Sequence, residues 1–140
     1  MKVIILSAKG VDELPLKMDK EPQTTLEWLG SAFNKNEFND INIVGGKDID
    51  KLRLHNLEAK YCFNPKWNET GPIFSLLLVK ELLLSDDCII SYSDVVHRPE
   101  AITNLVDSSS DCSILVDSSW KSRYNGRTSL SISRAEKVIL

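Results

Sequence analysis

The sequence predicts an α/β protein with a Rossmann-like, mainly parallel sheet and helices on both faces. Three observations carry that expectation. Compact apolar runs at Val3 to Leu6, Ile41 to Val44 and Cys88 to Ser91 alternate with segments of helical spacing, the pattern of a parallel sheet crossed by helices. With 140 residues and 42% hydrophobic content, the chain has the material for one domain-sized core and is too apolar for disorder. Every apolar run is too short for a signal peptide or a membrane span.

The elements follow in order. Val3 to Leu6 reads as a buried strand that runs into the loop Ser7-Ala8-Lys9-Gly10. Residues 10 to 23 hold Gly10, Pro15 and Pro22 among charges and read as loop. Leu26, Leu29 and Phe33 recur at helical spacing, which predicts a helix over Thr25 to Asn34 with Trp28 and Phe33 in the core. Ile41 to Val44 is the second strand, stopped by Gly45-Gly46, and a short helix near Asp48 to Leu54 and a strand near Ala59 to Cys62 follow. After the turn-rich stretch Asn64 to Pro72, the pattern predicts one continuous helix from Ile73 to about Leu84. Cys88 to Ser91 is a further strand, and Pro99 suits the first turn of a helix reaching Val106. Cys112 to Val116 reads as another strand, and Lys137 to Leu140 as an edge strand after a polar tail.

Charge and cysteine usage narrow the function. A net charge of -3 argues against a nucleic-acid binder held by phosphate neutralisation. Three widely spaced cysteines, Cys62, Cys88 and Cys112, match no zinc spacing and read as small buried hydrophobes in a cytoplasmic, reducing setting. His55 and His97 have no partner at catalytic spacing, and neither a Walker loop nor a Gly-x-Ser-x-Gly is present.

In parallel sheets, ligands bind beyond the carboxyl ends of the strands. Two polar segments fall there, Ser7 to Gly10 and Tyr92 to Asp94. The first fits either a backbone cradle for phosphate or a plain strand-to-loop turn. Asp94 suits Mg²⁺ held jointly with phosphate oxygens, and equally suits a helix-flanking carboxylate. Thr70-Gly71 reads as a site for a base or as an ordinary helix entry. Lys121, Arg123 and Arg127 cluster around Tyr124, either to hold an anion or as a solvated turn.

Taken in order, six segments resemble the nucleotidyltransferase superfamily. They are Lys2 to Ala8, Asp40 to Gly46, Asn64-Pro65, Glu69 to Leu76, Ser91 to Val96, and a tail. The tail, Val116-Asp117-x-x-Trp120-Lys121-x-Arg123-Tyr124-x-Gly126-Arg127-Thr128 leading to Ala135-Glu136-Lys137-Val138, is the most specific. It is similar to the cytidylyltransferases that activate phosphocholine or small phosphonates. The resemblance implies a single domain that transfers CMP from CTP, with Mg²⁺, to a small phosphorylated acceptor and releases pyrophosphate. It implies Ser7, Ala8 and Gly10 at the nucleotide loop, Thr70, Gly71 and Ser75 by the base or ribose, and Asp94 at the metal. For the acceptor it implies Arg123, Tyr124, Arg127, Glu136 and Lys137.

The chain departs from the family pattern in three places. The glycine-rich, Arg-bearing loop is reduced to Lys9-Gly10-Val11-Asp12, and the family's Pro-Lys pair is Pro22-Gln23, which leaves Lys17 or Lys20 to supply the missing charge. The segment between Pro22 and Leu26 is shortened. The family's second metal-binding Asp would lie beyond Leu140, so the resemblance implies a truncated domain. These departures make a non-catalytic nucleotide-binding remnant the alternative expectation. The unpaired edge expected around Val138 to Leu140 adds a third, a homo-oligomer or larger assembly in which a partner completes the site.

Overall fold

The structure, a computed structural model, describes residues 1–8, 24–54, 57–126, 128–133 and 138. It divides into two compact units, Met1–Thr103 and Asn104–Leu140. The first unit holds the sheet. Four strands, β1 (Lys2–Ser7), β2 (Ile41–Gly45), β3 (Lys60–Phe63) and β4 (Cys88–Tyr92), lie in the order β3-β2-β1-β4, and every neighbouring pair is parallel. Between the strands come α1 (Thr25–Asn34), the single turn α2 (Ile49–Leu52), α3 (Pro72–Leu77) and α4 (Lys80–Ser85), and α5 (Pro99–Val106) follows β4. The expected α/β class holds, with the parallel character extending to every described pair.

Register explains why the two central strands are apolar on both sides. Val3 pairs with Ile41 and Ile5 with Ile43, while Leu6 pairs with Val44, and residues directly opposite share a face. Ile4, Leu6 and Val44 form one buried face, packed by Leu76 of α3, Val79, and Leu82 and Leu83 of α4. Val3, Ile5, Ile41 and Ile43 are fully buried on the other face. There α2 closes against β2, with Ile49 and Leu52 meeting the position where a Gly45 side chain would stand. Burial on both faces is the reason a parallel strand reads as a continuous apolar run instead of alternating.

Helix α1 begins with a capping box. The Thr24 hydroxyl accepts from the Glu27 main-chain N–H at 3.2 Å, and the Glu27 carboxylate accepts from the Thr24 N–H at 2.8 Å. Its buried stripe of Leu26, Leu29 and Phe33 is the expected one. Trp28 is only half-buried, because its ring N–H reaches out to the carbonyl of His97.

Several expectations are corrected. The continuous helix from Ile73 to Leu84 is two short helices, α3 and α4, with Leu78 and Val79 between them. Val79 and Leu82 donate three residues back, to Leu76 and Val79. Three residues fall about 60° short of a full α-turn, so the tightened turn brings Leu82 back towards the sheet alongside Leu76 and Val79. The second helix is shorter than expected, ending at Leu52. Cys112 to Val116 is not a strand, and Ile114 is 72% exposed. The described sheet is complete without that segment, and a run with neither ladder nor covering layer gains nothing from its β propensity. The cysteines are less buried than expected: Cys62 and Cys88 are half-buried and Cys112 is exposed. Of the proposed edge strand only Val138 is described, and it is not in a strand.

The second unit, with α6 (Trp120–Arg123) and α7 (Ser129–Ser133), is held locally. The Arg123 guanidinium pairs with the Asp117 carboxylate, Tyr124 meets Trp120 edge-on, and the Lys121 ammonium lies over the Trp120 ring. No helix among the described residues is long and apolar enough to cross a membrane.

Candidate functional site

Strand order locates a crevice. From β1 the chain steps outward to β2 and β3, then returns across β1 to β4, so the connection leaving β1 and the one arriving at β4 run in opposite directions across the sheet. At such a switch point the two loops diverge and leave a cleft at the carboxyl ends of the strands. Leu6, Ser7 and Ala8 line it from β1, and Tyr92, Ser93 and Asp94 from β4. The entry to α3 closes the third side with Thr70, Gly71, Pro72 and Ser75. The Ser93 N–H donates to the Leu6 carbonyl at 3.1 Å, which ties the two strand ends together just under the cleft.

Hydroxyl groups supply most of the polar side chains on the walls. Ser75 is 1% exposed and Ser93 3%. Ser7 is 3% exposed, and its Oγ has no hydrogen-bond partner among the described residues. A buried hydroxyl left without a partner costs about 1–3 kcal/mol, a cost tolerated mostly where a ligand or a functional geometry demands it. Behind the hydroxyls stands Asn64, fully buried, whose main-chain N–H donates to the Gly45 carbonyl at 2.8 Å. Its side-chain amide reaches Thr70 Oγ1 at 3.2 Å and Ser75 Oγ at 3.0 Å. Gly46 lies against the same loop. A Cβ there would fall 2.0 Å from the Ala8 carbonyl oxygen and 2.5 Å from Trp67 Cβ, so only glycine lets these backbones approach so closely.

The segment leaving β4 is tied down beside the cleft. His97 Nε2 lies 3.0 Å from Ser91 Oγ, and its carbonyl accepts from the Trp28 ring. Burial pushes the His97 pKa below its ordinary value. This histidine therefore has a partner after all, six residues away, because the turn after Asp94 folds the chain back onto the sheet.

Of the residues picked out by sequence, the fold gathers Ser7, Ala8, Thr70, Gly71, Ser75 and Asp94 around one cleft. Arg123 and Tyr124 belong to the second unit, with Arg123 paired to Asp117. Gly10, Lys20, Arg127, Glu136 and Lys137 lie outside the described residues, as do Lys17, Gln23 and His55. Sequence reading places Ser93 in the polar segment Tyr92 to Asp94 but gives neither it nor Asn64 a role beyond its motif. The signal for Asn64 was present, since a polar side chain ending a short apolar strand and opening a turn-rich stretch needs internal partners.

Asp94 is the only acidic side chain lining the cleft among the described residues, and no group of three His, Cys, Asp or Glu side chains lies together among them. A single carboxylate does not make an all-protein metal cage. It does fit Mg²⁺, which is usually held by one or two carboxylates together with phosphate oxygens.

A parallel four-stranded sheet of this order with its cleft at the switch point is a Rossmann-like α/β fold, similar to that of solved nucleotidyltransferases. The CTP:phosphocholine cytidylyltransferase of Streptococcus pneumoniae shares it, with a TM-score of 0.53 over 71% of this chain and 49% of its own length, at 22% identity. In sequence the chain is cytidylyltransferase-like. It is 28% identical over 155 aligned positions, 99% of its length, to the CTP:phosphoglutamine cytidylyltransferase of Campylobacter jejuni. It spans 61% of the length of that protein. No family model matches the chain.

Proposed function

We propose that the chain binds CTP in the cleft between β1 and β4 and transfers CMP to a small phosphorylated acceptor such as phosphocholine. The observation that carries this reading is the convergence of Ser7, Ala8, Thr70, Gly71, Ser75 and Asp94, from three separate segments, on the switch-point cleft. An acceptor phosphate oxygen attacks the α-phosphorus, the bond from the α-phosphorus to its bridging oxygen breaks, and pyrophosphate leaves with the electron pair.

In such a reaction the chain's own groups align reactants and balance charge. Ser7 and Ala8, with Gly10, would serve the triphosphate, and Thr70, Gly71 and Ser75 the base or ribose. Asp94 would hold Mg²⁺, which supplies charge neutralisation at the phosphates when bound. Lys20 would replace the cation that Gln23 cannot provide. Arg123, Tyr124, Arg127, Glu136 and Lys137 would hold the acceptor, in which case Arg123 exchanges its Asp117 partner for a phosphate. The cytoplasm, where CTP is made, is the setting this reading requires.

A second reading is a nucleotide-binding module without transfer. What favours it is that no Lys or Arg lines the cleft among the described residues, although a triphosphate needs positive charge.

Thermal unfolding with each of the four ribonucleoside triphosphates, with and without Mg²⁺, tests the binding. At a hundredfold excess over Kd a ligand stabilises by about 2.7 kcal/mol. The expected outcome is a Mg²⁺-dependent rise with CTP that Asp94→Asn abolishes while the ligand-free midpoint stays put. No rise with any nucleotide would sink both readings. Pyrophosphate release with phosphocholine then separates the enzyme from the module.

A further inference from the structure

We infer that Asn64 fixes the hydrogen-bond polarity of the cleft wall, so that it accepts a 4-aminopyrimidine (cytosine) and rejects a 4-oxo one (uracil). The inference rests on the proposed nucleotide site and adds to it the residue that selects the base.

The polarity follows from groups whose roles are fixed. A main-chain N–H can only donate, and that of Lys66 lies 2.9 Å from one terminal atom of the Asn64 amide, which must therefore be its oxygen. The other terminal atom is then the NH₂, which can only donate, and it faces Thr70 Oγ1 at 3.2 Å and Ser75 Oγ at 3.0 Å. Both hydroxyl oxygens accept from it. The hydrogen of the Thr70 hydroxyl goes to the Lys66 carbonyl at 2.7 Å, an obligatory acceptor. What Thr70 has left for the cleft is a lone pair. Ser75 is different: its oxygen accepts from Asn64, and no acceptor for its hydrogen lies among the described residues. Ser75, 1% exposed and lining the cleft, has that hydrogen to donate to a ligand.

The wall thus offers an acceptor at Thr70 and a donor at Ser75. The two N–H bonds of an amide diverge by about 120°, which holds the two hydroxyl oxygens roughly 5 Å apart. That span is too wide for adjacent atoms of a pyrimidine edge and suits its two ends, the 2-carbonyl and the 4-substituent. Cytosine brings an acceptor at position 2 for Ser75 and an amine at position 4 for Thr70. Uracil brings the same 2-carbonyl, but its 4-carbonyl would meet the Thr70 lone pair with no hydrogen between them. A site built to receive a donor discriminates strongly against an analogue that lacks it, because a desolvated polar group is left unpaired.

Calorimetric titration of the full chain with CTP and UTP in Mg²⁺ tests this. CTP is expected to bind at least tenfold more tightly than UTP, and Thr70→Val to bring that ratio close to one by weakening CTP alone. A double-mutant cycle addresses Asn64. Asn64→Asp turns the Ser75 hydrogen away from the cleft, so it should weaken CTP binding in the wild type and cost little more when Ser75 is already Ala. Equal binding of CTP and UTP, or a CTP preference unmoved in Thr70→Val, overturns the inference and leaves the nucleotide site standing. A full additive loss in the Ser75→Ala background reduces Asn64 to a structural residue and overturns its assignment. Should Asn64→Asp fail to fold, Ser75→Ala decides: it must weaken CTP and UTP alike, and an unchanged CTP affinity overturns the proposal. Failure of every nucleotide to bind overturns the site and the inference together.

Discussion

Gly46 shows how much one atom decides at this site. The carbonyl of Ala8 and the Trp67 side chain occupy the space that any larger residue would need, and the Ala8 contact is to backbone, which cannot swing aside. Gly46→Ala is expected to destabilise the protein by about 1–3 kcal/mol, the usual cost of overpacking, and to displace Ala8 from the cleft wall. Urea unfolding measures the first effect. Loss of the CTP-induced stabilisation measures the second, and a variant with unchanged stability would show that the approach of these backbones is looser than the distances state. The glycine pair reads in sequence as a strand stop. That its second member lies against Ala8, at the end of β1, becomes visible only when Trp67, twenty-one residues on, folds back over it.

At the scale of elements, the helices divide into those whose ends are written locally and those shaped by the sheet. Helix α1 is of the first kind: Thr24 and Glu27 satisfy each other's main-chain N–H groups, and the apolar spacing behind them names the buried face. Thr24→Ala is expected to cost about 1 kcal/mol, seen as a lower urea midpoint with an unchanged slope. A loss below about 0.3 kcal/mol would mean that tertiary packing alone holds the N-terminus. Helices α3 and α4 are of the second kind. Their residues from Ile73 to Leu84 carry an unbroken helical signal, yet the chain tightens at Leu78 and Val79 to keep Leu76, Val79, Leu82 and Leu83 against Ile4, Leu6 and Val44. The break is a property of the surface beneath, which local propensity does not encode. Cys112 to Val116 makes the converse point, since strand propensity without a pairing edge yields no strand.

For the whole molecule, the pH response separates two windows. His97 is partly buried against Ser91, and burial lowers its pKa from the ordinary 6.5. The unfolded chain then binds the proton more tightly than the folded one. The stability His97 contributes is therefore complete above 6.5 and declines as the pH falls below it. Asp40, Asp86 and Asp117 act lower on the scale. Hydrogen bonds from Lys60, from the N-terminal ammonium and from Arg123 hold their pKa values below the ordinary 3.8, so their contribution is lost only in stronger acid. Between pH 7.5 and 5.5 the wild type should lose stability that His97→Gln does not. Denaturation curves at the two pH values check this, and parallel losses in both proteins would remove His97 as the cause.

What the sequence determined by itself was the class of fold, the four strands of the sheet, helix α1, helix α5 and the polar segments that end β1 and β4. Each is a local pattern, an apolar run, a spacing or a cap, and local patterns are written in consecutive residues. What only the tertiary structure decided was that β4 returns beside β1, that the segment from Asn64 to Ser75 closes the cleft between them, and that Asn64 orients the hydroxyls of Thr70 and Ser75. Strand order and hydrogen-bond direction depend on which distant groups become neighbours once the core is buried, and no stretch of chain carries that information alone.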